Sequence, residues 1–175
     1  LGEQWCRILI DKGLISDLAG LYSLKKSELL QLDRMGDKLA TRIMANIELS
    51  KDKPLSRLIF AIGIFHVGSE IAELLTQVYD SVEEMASATD EDLAKIPGIG
   101  PKIAASVASY FRVEANKTVI EKLRAAGVNM NQESRPESTR AQPLNGKTFV
   151  VTGTLSEFSR SETESRIKDL GGKVT

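Results

Sequence analysis

Apolar residues recur along most of this chain at three- and four-residue spacing, the period of helices with one buried stripe. One such arrangement returns three times. LDRMGDKLA (Leu32 to Ala40), IFHVGSEIA (Ile64 to Ala72) and IPGIGPKIA (Ile96 to Ala104) stand 32 residues apart. In each, an apolar residue (Met35, Val67, Ile99) precedes a glycine (Gly36, Gly68, Gly100). Alanine follows four residues after the glycine (Ala40, Ala72, Ala104), and Ile43, Leu75 or Val107 seven after it. Leu1, Gly2, Trp5, Cys6 and Leu9 match Met35, Gly36, Leu39, Ala40 and Ile43 at an offset of 34, so the chain opens inside a fourth copy. Repeats of this kind define a fold before composition does. The pattern predicts four tandem helical hairpins, the first truncated, filling residues 1–130 of a mainly α protein.

Start and stop signals place the helices. A first helix is expected over Glu3 to Lys12, stopped by Gly13, then a helical turn opened by Ser16-Asp17 and running through Tyr22. Ser27 is expected to cap the next helix, which leads into a hairpin at Arg34-Met35-Gly36 and a long helix to about Ser50. Pro54 opens the third unit, whose hairpin is Phe65-His66-Val67-Gly68. Ser81 and Asp90 read as caps. The fourth hairpin spans Pro97 to Pro101, with a helix to near Phe111, and Asn116 to Ala126 forms a last helix ended by Gly127. Trp5 and Phe60 lie on apolar stripes and are expected in the core. Cys6 aligns with three alanines and is expected to be a small buried residue.

From Asn131 to Pro143 the pattern stops. NQESRPESTRAQP holds no bulky apolar residue and is rich in Ser, Gln, Arg and Pro, the composition of a flexible linker. Thr148 to Thr152 is β-branched and reads as a strand. Ser161 is expected to cap a helix through Ile167 and Leu170, stopped by Gly171-Gly172, and Lys173-Val174-Thr175 begins a second, parallel strand. Residues 144–175 thus read as an incomplete α/β segment, expected to be marginally folded because its strand edges and apolar faces lack partners.

The hairpins carry the candidate chemistry. Glycine between two apolar residues permits a positive φ and a tight reversal. The small residue one turn later lets the helices pack closely. The second helix then starts with free backbone N–H groups, and without a side chain on the glycine a ligand can come close; such a terminus suits a phosphate. A single copy would read as a structural hairpin without a ligand, and registered copies favour the phosphate. In the fourth hairpin Gly98, Ile99 and Gly100 present backbone, and Lys102 adds charge. The second offers Arg34, Gly36 and Lys38, opposed by Asp33 and Asp37. The third has Gly68 and His66, the latter a phosphate or sugar contact or a turn cap. His66 is the only histidine, so a catalytic or metal role lacks partners.

Composition narrows the reading. No apolar run approaches the ~18 residues of a membrane span, and LGEQWCRILI lacks the architecture of a signal peptide. The single cysteine excludes an intrachain disulfide and a cysteine-cluster metal site. Net charge is −1, and residues 1–130 hold 16 Lys and Arg against 18 Asp and Glu. That balance runs against the basic surplus common in nucleic-acid modules. Much of the acid lies in Asp80, Glu83, Glu84, Asp90, Glu91 and Asp92, where helices begin and capping or dipole effects account for it. Arg34, Lys38, Arg42, Lys95 and Lys102 lie nearer the hairpins. A shallow salt dependence is expected from so few cations.

IPGIGPKIA resembles the helix-hairpin-helix motif, a module that holds DNA by its sugar-phosphate backbone. Four in tandem, with LIFAIGIFHVGSEIAELL as the third, resemble the helix-hairpin-helix domain of bacterial NAD-dependent DNA ligases. LIDKGLISDLAGLYSL and EKLRAAGVN resemble its flanks. LNGKTFVVTGTLSEFSRSE and IKDLGGKV resemble the start of a BRCT domain, which follows the hairpins in that family. The resemblance implies a DNA-binding part of a ligase that seals nicks in duplex DNA during replication and repair, in the bacterial cytoplasm with the nucleoid. It also implies a parent using NAD and a divalent metal (Mg), with a structural Zn in an upstream four-cysteine module. Neither that module nor a KxDG-like adenylation motif occurs here, so no catalytic residue, cofactor or metal ligand is assigned, and the remaining domains of the parent are expected partners. A helix-hairpin-helix module of another DNA-repair protein, or a helical protein-interaction scaffold, are the alternatives.

Overall fold

The computed structural model describes residues 2–132, 144, 146–152, 163, 164, 166, 167 and 170–174. The chain divides into two compact units, Leu1–Glu133 and Ser134–Thr175. In the first, α1 (Glu3–Asp11) is followed by a 3-10 turn (Leu18–Ser23), α2 (Lys26–Leu29), α3 (Asp37–Ser50), α4 (Leu55–Ala61), α5 (Ser69–Val78), α6 (Val82–Ser87), α7 (Asp90–Ala94), α8 (Pro101–Arg112) and α9 (Glu114–Ala125). The pairs α2/α3, α4/α5 and α7/α8 are the three complete hairpins, and α1 is the second helix of the truncated one.

Glycine stops two of these helices by one mechanism. Gly13 and Gly127 adopt φ of 67° and 83°. The next residue's N–H then returns to the last turn, Leu14 to Leu9 O at 2.9 Å and Val128 to Leu123 O at 3.1 Å, satisfying otherwise orphaned carbonyls. Starts depart from expectation in three places. Ser27 lies inside α2, where Lys25 is the N-cap and its N–H donates to Glu28 Oε2 at 2.8 Å. Asp90 is the first residue of α7, and Thr89 Oγ1 accepts from Asp92 N at 3.2 Å instead. α9 begins at Glu114, two residues before Asn116. Ser81 does cap α6, accepting from Glu84 N at 3.1 Å.

Two apolar clusters hold the unit together. The larger joins α4 to α9 through Leu55, Ile59, Leu75, Met85, Leu93, Val107 and Leu123, all essentially fully buried. The smaller joins α1, α2 and α3 through Leu9, Leu29, Ala40 and Ile43. Tyr22 packs on both, its hydroxyl 2.9 Å from Ser50 Oγ. Asp17 reinforces the junction: Lys122 of α9 pairs with it at 2.8 Å and holds its carboxyl below the usual range.

Trp5 packs on the smaller cluster as expected, whereas Phe60 is 46% exposed. Cys6 is only partly buried, unlike the alanines of its register, because the helix preceding the glycine in the other units has no counterpart within these residues. Asn131 and Gln132, read as linker, belong to this unit: Asn131 bridges Ser81, and Gln132 N donates to Asp80 O at 2.7 Å. The rest of the expected linker, and the Ser161 cap, lie outside the described residues.

In the second unit β1 (Thr148–Phe149) pairs with β2 (Lys173–Val174) in parallel register, Thr148 opposite Lys173. Thr163, Glu164, Arg166 and Ile167 are helical, so the described residues follow the expected strand-helix-strand order. β1 stops at Phe149, short of the expected Thr152. Gly172 allows close packing there, since a Cβ would stand 2.7 Å from Ile167 Cγ2 and 3.0 Å from Phe149 Cε2. Among the described residues no helix is long and apolar enough to cross a membrane.

Candidate nucleic-acid interface

Each hairpin turn is anchored by apolar residues at both ends. Leu32 and Met35, Ile64 and Val67, and Ile96 and Ile99 are buried, and the later residue donates its N–H to the earlier carbonyl at 3.1, 3.0 and 3.0 Å. The two residues between them face solvent. Their third position takes a positive φ, 62° at Arg34, 67° at His66 and 92° at Gly98. A type II turn demands this at its third residue, with proline favoured just before it. Positive φ was expected at the registered glycine; it falls two residues earlier. Pro97-Gly98 was the signal, and the 32-residue register carries it to Arg34 and His66.

Gly36, Gly68 and Gly100 have another role. Their φ values are −82°, −86° and −82° with extended ψ, a conformation open to any residue, and each is the N-cap of the following helix. Gly2 repeats the geometry before α1 at φ −91°. A Cβ at any of the four would meet nothing within 4 Å. Neither backbone strain nor internal packing therefore calls for glycine at these places. Their carbonyls accept the first helical bond from Ala40, Ala72 and Ala104 at 3.0, 2.9 and 3.0 Å. No side chain caps α3, α5 or α8. The N–H groups of their first turn remain open to solvent, except that Pro101 removes one from α8.

Ile99 is corrected by the same geometry. Its side chain is buried and its N–H is spent on Ile96, so it anchors the turn and offers no donor. Gly98 is held by conformation: besides its positive φ, an added Cβ would sit 2.9 Å from Leu74 Cδ1. His66 makes no hydrogen bond to a described residue, which removes the turn-cap reading; its ring lies 4.0 Å from that of Phe65. Phe65, named from sequence as the first residue of the third hairpin, is 74% exposed.

The charges sort by partner. Arg34, Lys38, Arg42, Arg57 and Lys102 form no ion pair with a described residue. Lys95 does not join them, because Asp92 pairs with it at 2.8 Å and raises its pKa. Most of the acids that weighed against DNA are engaged inside the unit. Asp90 meets Arg112 at 2.6 Å, Glu83 meets Arg124, and Glu84 accepts from Asp80 N at 2.8 Å. Asp37, expected to oppose the second hairpin, pairs with Lys26 at 2.8 Å. Among the described residues no group of three or more His, Cys, Asp or Glu side chains is placed to hold a metal.

Comparison with known proteins agrees with this geometry. The helix-hairpin-helix motif model matches residues 57–120, the third and fourth hairpins, and the BRCA1 C Terminus (BRCT) domain model matches residues 139–175. A protein of Halothermothrix orenii named DNA ligase is 46% identical over 95% of this chain and 25% of its own length. DNA ligases of Desulforamulus reducens and Geobacter sulfurreducens are 45% and 42% identical over 100% and 98% of the chain. The chain spans about a quarter of the length of these curated relatives. Over its whole length the chain matches one part of proteins named DNA ligase, and within it helix-hairpin-helix motifs are followed by a BRCT match.

Proposed function

We propose that this chain is the DNA-gripping part of a ligase that seals nicks in duplex DNA, and that its hairpins hold the sugar-phosphate backbone without reading sequence. The observation that carries the reading is the set of uncapped helix starts at Gly36, Gly68 and Gly100, where glycine has no internal reason. A phosphate oxygen can reach the first-turn N–H groups there only because no side chain stands in front of them, and the helix dipole favours its charge. Arg34, Lys38 and Lys102 stand at the same turns without internal partners. Paired hairpins then contact the two strands across the minor groove. Backbone contacts of this kind fix position and orientation and carry no base code.

The relatives' name favours a ligase over another repair protein as the parent. Internal pairing of the acidic residues removes the main support for a protein-interaction scaffold. NAD as adenylate donor, the divalent metal and the structural Zn belong, on this reading, to parts of the parent outside these residues, as does the adenylation site. The chain alone orients DNA and performs no chemical step.

The test is titration of the chain with nicked and intact duplexes at several salt concentrations. Salt-sensitive binding indifferent to sequence is expected. Gly100→Asp should lose at least ~10-fold in affinity while melting normally, since aspartate is a good N-cap whose charge opposes the phosphate. No binding at low salt, or full binding by that variant, would refute the clamp.

A further inference from the structure

The third hairpin repeats the backbone of the fourth and reverses its surface chemistry. At the 32-residue offset Phe65 stands for Pro97, His66 for Gly98, and Glu70 for Lys102. The second hairpin, like the fourth, has a lysine (Lys38) in the place of Glu70. The third turn therefore has glutamate where a cation would meet a phosphate. It has an aromatic ring where the others have aspartate or proline. That ring is the most exposed large apolar side chain among the described residues.

The packing beneath it differs too. In the fourth hairpin the turn rests on Leu74 of α5, so close that a Cβ on Gly98 would stand 2.9 Å from Leu74 Cδ1 and the leucine would have to shift. The corresponding residue of α8 is Ser106, and with Ala105, Ser109 and Tyr110 it leaves an open groove of about 490 Å³ bordered by Phe65. Phe65 is thus free of the core and has room to reorient. The adjacent His66 holds a left-handed backbone that costs roughly 1–2 kcal/mol in a residue with a Cβ. His66 is strained and exposed and, like the exposed Phe65, makes no hydrogen bond to a described residue, which points the two outward to a ligand. The uncapped helix start at Gly68 lies three residues from Phe65 in the chain.

We infer that Phe65 is an apolar DNA contact, its ring packed on the deoxyribose and base edge beside the phosphate held at Gly68. The third hairpin then grips by apolar surface where the second and fourth grip by charge. This rests on the phosphate-clamp reading and assigns it a residue that is not basic. The two contact types differ in salt response, because only cations release counterions from DNA.

The experiment compares Phe65→Ala, Phe65→Leu and Lys102→Gln in the 175-residue chain, with duplex titrations across a salt series and thermal melts. Phe65→Ala should bind roughly five- to ten-fold more weakly at every salt concentration, the low end of what aromatic contacts to nucleic acids contribute. Its salt slope and melting temperature should stay unchanged, and leucine should restore most of the affinity. Lys102→Gln should instead flatten the slope by about one phosphate's worth. Wild-type affinity in Phe65→Ala, a changed slope, or a lower melting temperature would each overturn the inference. Absence of binding by the unsubstituted chain would sink the clamp itself, a result distinct from normal binding by Phe65→Ala.

Discussion

The third and fourth hairpins follow one backbone plan with opposite surfaces. Both close their turns with 3.0 Å bonds between buried residues, and both start the second helix at an uncapped glycine with φ near −85°. Yet one turn shows Phe65, His66 and Glu70, and the other Pro97, Gly98 and Lys102. What repeats is the set of anchors and the glycine; what varies is what a ligand would touch. The two glycines of the fourth hairpin make the same distinction at closer range. Gly98 is favoured by a positive φ and by the nearness of Leu74, whereas Gly100 has an ordinary φ and empty space. One serves the fold and the other leaves a surface open.

Substitutions should separate these roles. The largest effect is expected for Gly98→Ala, which should destabilise the unit by about 2 kcal/mol from the left-handed backbone and crowding of Leu74. Urea melts would measure it, with Gly100→Ala as the comparison. Equal losses at the two positions would break the distinction. Next comes Glu70→Lys, which gives the third hairpin the lysine of the fourth. DNA affinity at low salt should rise by about 10-fold, and the salt slope should steepen by nearly one. An unchanged slope would mean that α5 does not face a phosphate. The smallest effect is expected for His66→Gly. Relief of the left-handed strain should raise stability by up to ~1 kcal/mol, because glycine's greater unfolded-state freedom offsets part of the gain. A loss of stability in the melt would show that the His66 ring supports the turn.

The register of Gly36, Gly68 and Gly100 located the uncapped helix starts, but positive φ is not what places glycine there. A glycine beside a reversal suggests positive φ, and only backbone geometry shows that the reversal is completed two residues earlier. Lys95 and Lys102 look equivalent along the chain. In space Asp92 lies one helical turn from Lys95 and engages it, while Lys102 has no such neighbour. Phe60 sits on an apolar stripe and Phe65 in a turn, and both proved exposed, since a stripe is buried only where another element covers it.

The four repeats, the helices' order and the buried residues at each turn were legible in the chain, because local spacing dictates helix and turn geometry. The sequence also carried the family resemblance, through motifs contiguous in the chain. Tertiary structure decided which charges stay free, which glycine bears the strain and which aromatic ring faces solvent. Several of those contacts join residues far apart in sequence, as with Asp17 and Lys122, or Gly98 and Leu74. Periodicity along one chain does not encode such distances; packing of one helix against another sets them.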